Sequence, residues 1–339
     1  MKKYFFYELK KNLWTFVLLS VVLSLIYVAT ISTMNLTYSY PIDEYTLNVT
    51  IASPQVSLLG GMMLSLCFLS PVIMFSFKMN KRGVDAFYAL PLKKEKLYFV
   101  KAMVGLLLVI LPFTIAYWLG FLTLLLREGN PYQMIWYLPM YFGELLFAVC
   151  LFGINAFLFT RANRVGDGVT FMLAYAVLGV LVVWVLQEIV DQYFFNYYQE
   201  QSFLTFGGQL VFENNMEYLI RGYRGEGHWT VWMFVYPIAL AAVSYFLLFY
   251  NLRYEKGENA EQISNSWFGF RVLIPTYVAL LIAMATSNSN GDLLAVCLIL
   301  VGGITATIVY QRKIKFSWRY WLMLGIGVGI GILLGVFVG

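Results

Sequence analysis

Residues 78–126 read KMNKRGVDAFYALPLKKEKLYFVKAMVGLLLVILPFTIAYWLGFLTLLL, a strongly basic segment that runs directly into a long apolar one. From Tyr98 to Leu126 the only charged residue is Lys101. A hydrocarbon core of about 30 Å needs about 20 helical residues, and a helix satisfies its own backbone hydrogen bonds. The apolar part therefore predicts a membrane-spanning helix whose basic end faces the cytoplasm.

The same alternation of apolar stretches and charged gaps continues along the whole chain. Twenty of the 23 lysines and arginines lie in alternate gaps, and the other gaps hold only Arg127, Arg221 and Arg224. Since cytoplasmic loops carry the excess of basic residues, we expect an all-α polytopic membrane protein of the cell membrane, with its amino terminus in the cytoplasm and its carboxyl terminus outside. The nine predicted spans cover about residues 13–34, 56–77, 98–126, 134–160, 169–188, 229–250, 271–287, 292–310 and 320–338.

Composition supports the membrane class and excludes others. The 339 residues are 60% hydrophobic and only 12% charged, with a mean hydropathy of +0.72, which is typical of a polytopic membrane protein. The net charge of +5 is dispersed over separate patches beside predicted membrane ends. Anionic lipid headgroups therefore explain it better than nucleic acid does.

Two segments outside the spans have distinct patterns. Residues 2–14 predict an amphipathic helix lying flat on the inner leaflet, with Phe5, Phe6 and Leu9 on its lipid face and Glu8 on its polar face. Residues 189–228 are rich in aromatic side chains, which favours short helices at the outer interface rather than a loose loop.

The sequence lacks the motifs of common catalysts. It contains one histidine, its three cysteines lie inside apolar stretches, and no Gly-rich phosphate loop is present. We therefore expect no enzymatic activity and no metal or other cofactor in this chain.

Glu144 is the only carboxylate in the interior of a predicted span, since Glu188 and Asp292 are terminal residues of theirs. An ionisable group inside a membrane is a functional candidate by default, because its burial is costly unless it is neutral or paired. A protonated acid that bonds a neighbouring helix, or one facing a watery vestibule, is the structural alternative. In the last span, Gly327, Gly331 and Gly335 repeat every four residues, which predicts a flat face for close helix packing.

The segment between the second and third spans, residues 79–97, carries the most specific pattern. Asp85 is predicted to cap a short helix, which Pro91 ends, and Phe87, Tyr88 and Leu90 give it an apolar face. Two interpretations follow from the residues alone: the helix protrudes toward a cytoplasmic partner, or it rests on lipid.

These features together resemble the permease subunits of type-2 ABC exporters, particularly those of Gram-positive bacteria. The resemblance covers residues 1–255: the basic amino-terminal helix, the first hairpin, the segment DAFYALPLKKEKLY at 85–98 and the large outside segment. It implies a connecting helix at 2–14, a coupling segment at 79–97 that docks on an ATPase, and an extracellular segment at 189–228. It carries the coupling role onto Asp85, Phe87, Tyr88, Leu90 and Pro91. The usual member has six spans, so residues 256–339 stand as additional carboxyl-terminal helices.

The resemblance implies a permease that exports an amphipathic cargo such as a peptide, an antimicrobial compound or a lipid-like molecule. Its partners would be a separate ABC ATPase, which binds ATP and Mg, a second permease subunit, identical or related, and membrane lipid. Two other classes stay open: a membrane-embedded enzyme acting on lipid or cell-wall precursors, and a sensory or immunity component that transports nothing. The sparse polar content of the spans disfavours the enzyme.

Overall fold

The computed structural model describes residues 2–33, 53–126, 134–193, 232–253, 259–262, 264, 266–287, 293–311 and 318–338. Within these ranges the chain is helical and contains no strand. The helices are α1 (Lys2–Lys11), α2 (Leu13–Thr33), α3 (Ser53–Phe75), a 3-10 helix (Ser76–Met79), α4 (Lys81–Tyr88), α5 (Lys94–Leu125), α6 (Met134–Thr160), α7 (Val165–Tyr193), α8 (Trp232–Arg253), α9 (Phe270–Ser287), α10 (Leu293–Gln311) and α11 (Trp318–Val338).

Several helices are long and apolar enough to cross a membrane. By length and composition four of them qualify, namely Leu13–Thr33, Leu58–Met79, Lys94–Leu125 and Tyr141–Thr160, with mean hydropathies of 2.0 to 2.3. Shorter apolar helical stretches follow at Val165–Gly179, Ile238–Asn251, Phe270–Thr286, Leu294–Tyr310 and Tyr320–Val336. The protein is thus helical and fits a membrane-embedded class, while the number of crossings stays a prediction.

The chain forms two compact units, each built from separate stretches of sequence. Unit 1 comprises Met1–Lys78, Arg82–Phe157 and Val211–Gly257, and unit 2 comprises Met79–Lys81, Leu158–Leu210 and Glu258–Gly339. This grouping places α7 with the carboxyl-terminal helices, whereas the resemblance puts it in a core of residues 1–255. The compact units reflect contacts within the chain, whereas the division after residue 255 reflects the resemblance. The predicted division therefore stays a prediction.

In unit 1, α5 is the central helix, with α1, α2, α3 and α8 packed against it. Small residues allow the close approaches: an added Cβ at Gly120 would overlap the Tyr27 ring, and one at Gly105 would lie 2.9 Å from Phe152. The Ser70 hydroxyl of α3 donates a hydrogen bond of 2.6 Å to the Gly105 carbonyl. These contacts fix the position of α5, which the sequence alone identifies only as an apolar helix.

In unit 2, α9 contacts α7, α10 and α11. Its Tyr277 hydroxyl donates a hydrogen bond of 2.5 Å to the Ala174 carbonyl of α7. Val185 of α7 and Leu280 and Ala283 of α9 form a buried apolar cluster, against which Leu334 of α11 packs.

The amino-terminal segment differs from its prediction in two ways. The predicted helix of residues 2–14 ends at Lys11, and a new helix begins at Leu13 after Asn12. Glu8, predicted on the polar face, is the most buried residue of α1, whereas Phe6 is 66% exposed. The reason is a partner for Glu8 on α5, described below. Of the predicted extracellular segment, residues 189–193 form the end of α7, and residues 194–228 lie outside the described residues.

Candidate functional site

The residues predicted to couple the chain to a partner lie where α1, the 3-10 helix, α4 and the start of α5 meet in unit 1. At the centre of this junction is Lys101 of α5. Its Nζ lies 3.4 Å from Oε1 of Glu8 on α1, with side chains only 4% and 1% exposed. A buried ion pair needs further polar partners, because desolvation of the two charges otherwise exceeds their attraction.

Those further partners come from both sides of the pair. The Tyr4 hydroxyl donates a hydrogen bond of 2.7 Å to the same Oε1 of Glu8. Burial, and secondarily this bond to Glu8, raise the pKa of Tyr4 well above its ordinary value, so Tyr4 remains a donor. The Lys101 ammonium lies over two aromatic rings, 4.5 Å from the centroid of Phe77 and 4.2 Å from that of Phe87. Each cation–π contact of a desolvated ammonium contributes about 2 kcal/mol. We call Glu8, Phe77, Phe87 and Lys101 the coupling junction.

The junction joins four segments of the chain. Glu8 belongs to α1, Phe77 to the 3-10 helix, Phe87 to α4 and Lys101 to α5. The Phe77 and Phe87 rings are themselves in contact, with centroids 4.5 Å apart. Gly83 permits this approach, because a Cβ there would overlap the backbone of Phe77. The junction therefore connects α4 to both α1 and α5 through side-chain contacts.

α4 differs from its sequence prediction at two points. Asp85 was predicted to cap the helix, but α4 begins at Lys81 and Asp85 lies inside it, where its carbonyl accepts the Ala89 N–H at 3.1 Å. The two interpretations of the apolar face are contact with a partner and contact with lipid, but Phe87 on that face is half-buried by Lys101 and Phe77 of this chain, with Lys11 5.2 Å from its centroid. The physical reason is that aromatic faces attract the lysines brought to them by α1 and α5.

The other predicted residues of this segment lie in and just after the last turn of α4. Tyr88 is half-buried, with the Lys94 ammonium 4.3 Å from its ring centroid and its hydroxyl 3.1 Å from that of Tyr98. Leu90 is half-buried and Pro91 is exposed, in the turn that separates α4 from α5. The exposed face of α4 consists of small and polar side chains: Arg82, Asp85, Ala86 and Ala89.

Glu144 lies in α6, away from the coupling junction in the chain. It is fully buried, and neither carboxyl oxygen has a hydrogen-bond partner among the described residues. One turn before it, the Tyr141 hydroxyl and the Thr114 hydroxyl lie 2.8 Å apart, so the neighbouring polar groups are satisfied. The bond to a neighbouring helix, one structural interpretation of Glu144, is not seen in the part of the chain that the structure describes.

The predicted packing glycines line the face of α11 that contacts α9. An added Cβ would lie 2.8 Å from the Pro275 carbonyl oxygen at Gly327 and 2.6 Å from that of Ala279 at Gly331, and would overlap Thr286 at Gly335. The backbones of the two helices therefore approach within a distance that only glycine allows.

Sequence reasoning missed the most connected residues of the site. The charge pattern identifies Lys101 only as a basic residue of the cytoplasmic side, and the helical pattern of residues 2–14 predicts Glu8 on the polar face. The available signal was the presence of an ionisable group inside an apolar stretch, which by itself calls for a partner. Among the described residues, no three or more His, Cys, Asp or Glu side chains cluster as metal ligands would.

Comparison with known proteins adds no relative: no protein-family model, no curated protein and no solved structure matches this chain significantly. The interpretation of the coupling junction and of Glu144 therefore rests on their geometry and chemistry.

Proposed function

We propose that the chain is the transmembrane permease subunit of an ATP-driven exporter, coupled through α4 to a separate cytoplasmic ATPase. In this proposal the protein crosses the membrane nine times and pairs with a second permease subunit to form the pathway. ATP and Mg are bound by the partner. The cargo is amphipathic, in keeping with a pathway made of apolar helices.

The observation that carries the proposal is the coupling junction. A helix that only rests on lipid needs no buried ion pair behind it, and the Glu8–Lys101 pair with its two aromatic rings is costly to assemble. The junction instead fixes α4 to the ends of two helices while its opposite face stays exposed. In this arrangement, a partner that binds the exposed face and moves α4 would also move α1 and α5.

The exposed face provides a test that leaves the junction intact. Ala86→Arg and Ala89→Arg add bulk and charge to exposed positions of α4, away from the half-buried Phe87. A matched control is Gly166→Arg at the start of α7, also exposed, with open space around an added Cβ. Each change adds one arginine on the predicted cytoplasmic side.

The genes next to this one are first searched for an ABC ATPase. The variants are co-expressed with that ATPase, and co-purification and stimulated ATP hydrolysis are measured. Disruption of a well-packed contact costs about 2 kcal/mol, so the α4 variants should bind the ATPase about thirtyfold more weakly while Gly166→Arg binds normally. Unchanged binding by both α4 variants contradicts the coupling role. The lack of any such ATPase would favour the enzyme or the sensory class instead.

A further inference from the structure

Unit 2 contains a cavity that the proposed function does not use. Its volume is about 690 Å³, and it lies alongside α9, between α7 and α10. Cavities of about 300–1,000 Å³ are the usual size of small-molecule and cofactor sites. The lining is mostly apolar, and its two charged residues, Arg164 and Asp167, lie at one end together with Tyr310.

The cavity has the length of one membrane leaflet. Its lining extends along α9 from Phe270 to Leu281 and along α10 from Ile299 to Tyr310. At a rise of 1.5 Å per residue, each of these stretches is about 16 Å long. Half of a hydrocarbon core of about 30 Å has the same depth.

Small side chains on α10 create the space. Gly302, Gly303 and Ala306 all line the cavity. A Cβ at Gly303 would lie 2.6 Å from Val278, so α10 touches α9 there, whereas a Cβ at Gly302 would meet nothing within 4 Å. α10 is thus in contact with α9 at Gly303 and has open space beside it at Gly302.

The polar end is held in place by hydrogen bonds. The Ser264 hydroxyl donates to Oδ2 of Asp167 at 2.6 Å and accepts the Asn163 N–H at 2.9 Å, and the Tyr310 hydroxyl donates to the Ser264 carbonyl at 2.5 Å. Nε of Arg164 donates to the Glu261 carbonyl at 2.8 Å. This fixes a guanidinium and a carboxylate at the same end of the cavity.

Arg164 and Asp167 are three residues apart at the start of α7, a spacing that places side chains side by side. The nearby Glu261 carboxylate lies 3.9 Å from Lys81 Nζ, so its charge is already matched. Among the described residues that line the cavity, the mouth therefore offers one positive and one negative group. A purely anionic headgroup would meet the Asp167 carboxylate, whereas a headgroup with both a phosphate and an ammonium complements both residues.

We propose that this cavity, the α7–α10 groove, binds one acyl chain of a zwitterionic phospholipid. The chain lies along α9, the phosphate contacts Arg164 and the headgroup ammonium contacts Asp167. The lipid comes from the leaflet on the basic side of the membrane, which is the predicted cytoplasmic side. The site is independent of ATPase coupling.

The test uses the full chain reconstituted in vesicles of phosphatidylethanolamine and phosphatidylglycerol, with a trace of phosphatidylethanolamine that carries a photoreactive acyl chain. After illumination, labelled peptides are identified by mass spectrometry. We expect the label on residues 270–281 and 299–310. Gly302→Phe fills the groove, and its matched control is Gly325→Phe on α11, a glycine that likewise has open space around it but does not line the groove.

Gly302→Phe should reduce the label at least about tenfold, because excluding even two methylene groups loses that much affinity. Gly325→Phe should label like the unmodified chain. Ala306→Leu is the second filling variant, should Gly302→Phe fail to insert. Equal labelling of the filled and control variants, or label spread over all lipid-facing helices, overturns the proposal, as do crosslinks that seat a second copy of the chain in the groove.

The headgroup assignment has its own readout. In the unmodified chain, excess unlabelled phosphatidylethanolamine should displace the probe more effectively than excess phosphatidylglycerol. Asp167→Asn keeps an oxygen for the Ser264 bond and removes the charge, so this preference should disappear while the filling variants still block labelling. A preference that survives in Asp167→Asn, or equal competition by both lipids in the unmodified chain, overturns the headgroup assignment.

Discussion

Lys101 shows how a single side chain determines the local architecture of unit 1. Its ammonium is buried, and it is stabilised by one carboxylate and two aromatic faces contributed by three other segments. A lysine at the end of a membrane helix ordinarily extends its ammonium to water. Here the short helix α4 and the amino-terminal helix α1 cover the Lys101 ammonium. Lys101 therefore contributes to the packing of unit 1 instead of anchoring a helix end in water.

Removal of one partner of this pair should be far more damaging than removal of both. Glu8→Leu leaves the Lys101 ammonium buried without its carboxylate, and breaking a buried pair in this way costs about 3–5 kcal/mol of unfolding free energy. The double variant Glu8→Leu with Lys101→Met replaces both charges by apolar groups and should recover most of that loss. Thermal unfolding of the detergent-solubilised variants measures both values. A double variant no more stable than Glu8→Leu would show that the ion pair does not organise the junction.

Local residue patterns predict the coupling junction less well than they predict the helices, because the residues that meet at the junction are far apart in the sequence. The pattern of α1 predicts Glu8 on the polar face, because its ion-pair partner Lys101 lies far along the chain. Phe87 lies in the short helix α4, and its cover comes from Lys101 and Lys11 on other helices. Glu144 stood out by its charge alone, and the structure adds its full burial without a described partner.

Helices as elements were the most predictable feature. Apolar stretches of the length that a bilayer requires must be helical, because no other open structure satisfies the backbone in lipid. The predicted stretch of residues 134–160 coincides with α6, and that of residues 271–287 matches α9 to within one residue. The ends of α1 and α4 were harder to place, because tertiary contacts rather than hydropathy determine them.

At the contact between α9 and α11, the position of each glycine decides whether it can be replaced. Gly331→Leu would drive a side chain into the Ala279 carbonyl and Ile282, whereas Gly329, on the same helix, has open space around an added Cβ. Overpacking of this kind costs about 1–3 kcal/mol. We therefore expect Gly331→Leu to lower the unfolding temperature and Gly329→Leu to leave it nearly unchanged, as measured by thermal unfolding in detergent. Equal effects of the two substitutions would mean that α11 does not depend on this contact.

At the scale of the whole molecule, the number and direction of the membrane crossings stay a prediction, and unit 2 shows only that α10 runs opposite to α9 and α11. The start of α9 meets the end of α10, with Phe270 and Tyr310 centroids 4.7 Å apart, and Arg271 lies 5.9 Å from the Tyr320 centroid at the start of α11. When two neighbouring helices run in opposite directions, the start of one lies beside the end of the other. The side of the membrane on which the basic gaps lie stays a prediction of the charge pattern.

Cysteine labelling in intact cells tests this topology across the whole chain. The native Cys297 is exposed and is first changed to Ser, so that it does not react. Cys67 and Cys150 are buried and are kept. Single cysteines are then placed at positions 94, 214 and 339. Nine crossings from a cytoplasmic amino terminus put position 94 inside and positions 214 and 339 outside. An impermeant maleimide should therefore label 214 and 339 directly and label 94 only after lysis. Labelling of 94 in intact cells, or of 339 only after lysis, would contradict nine crossings and with them the assignment of α4 to the cytoplasm.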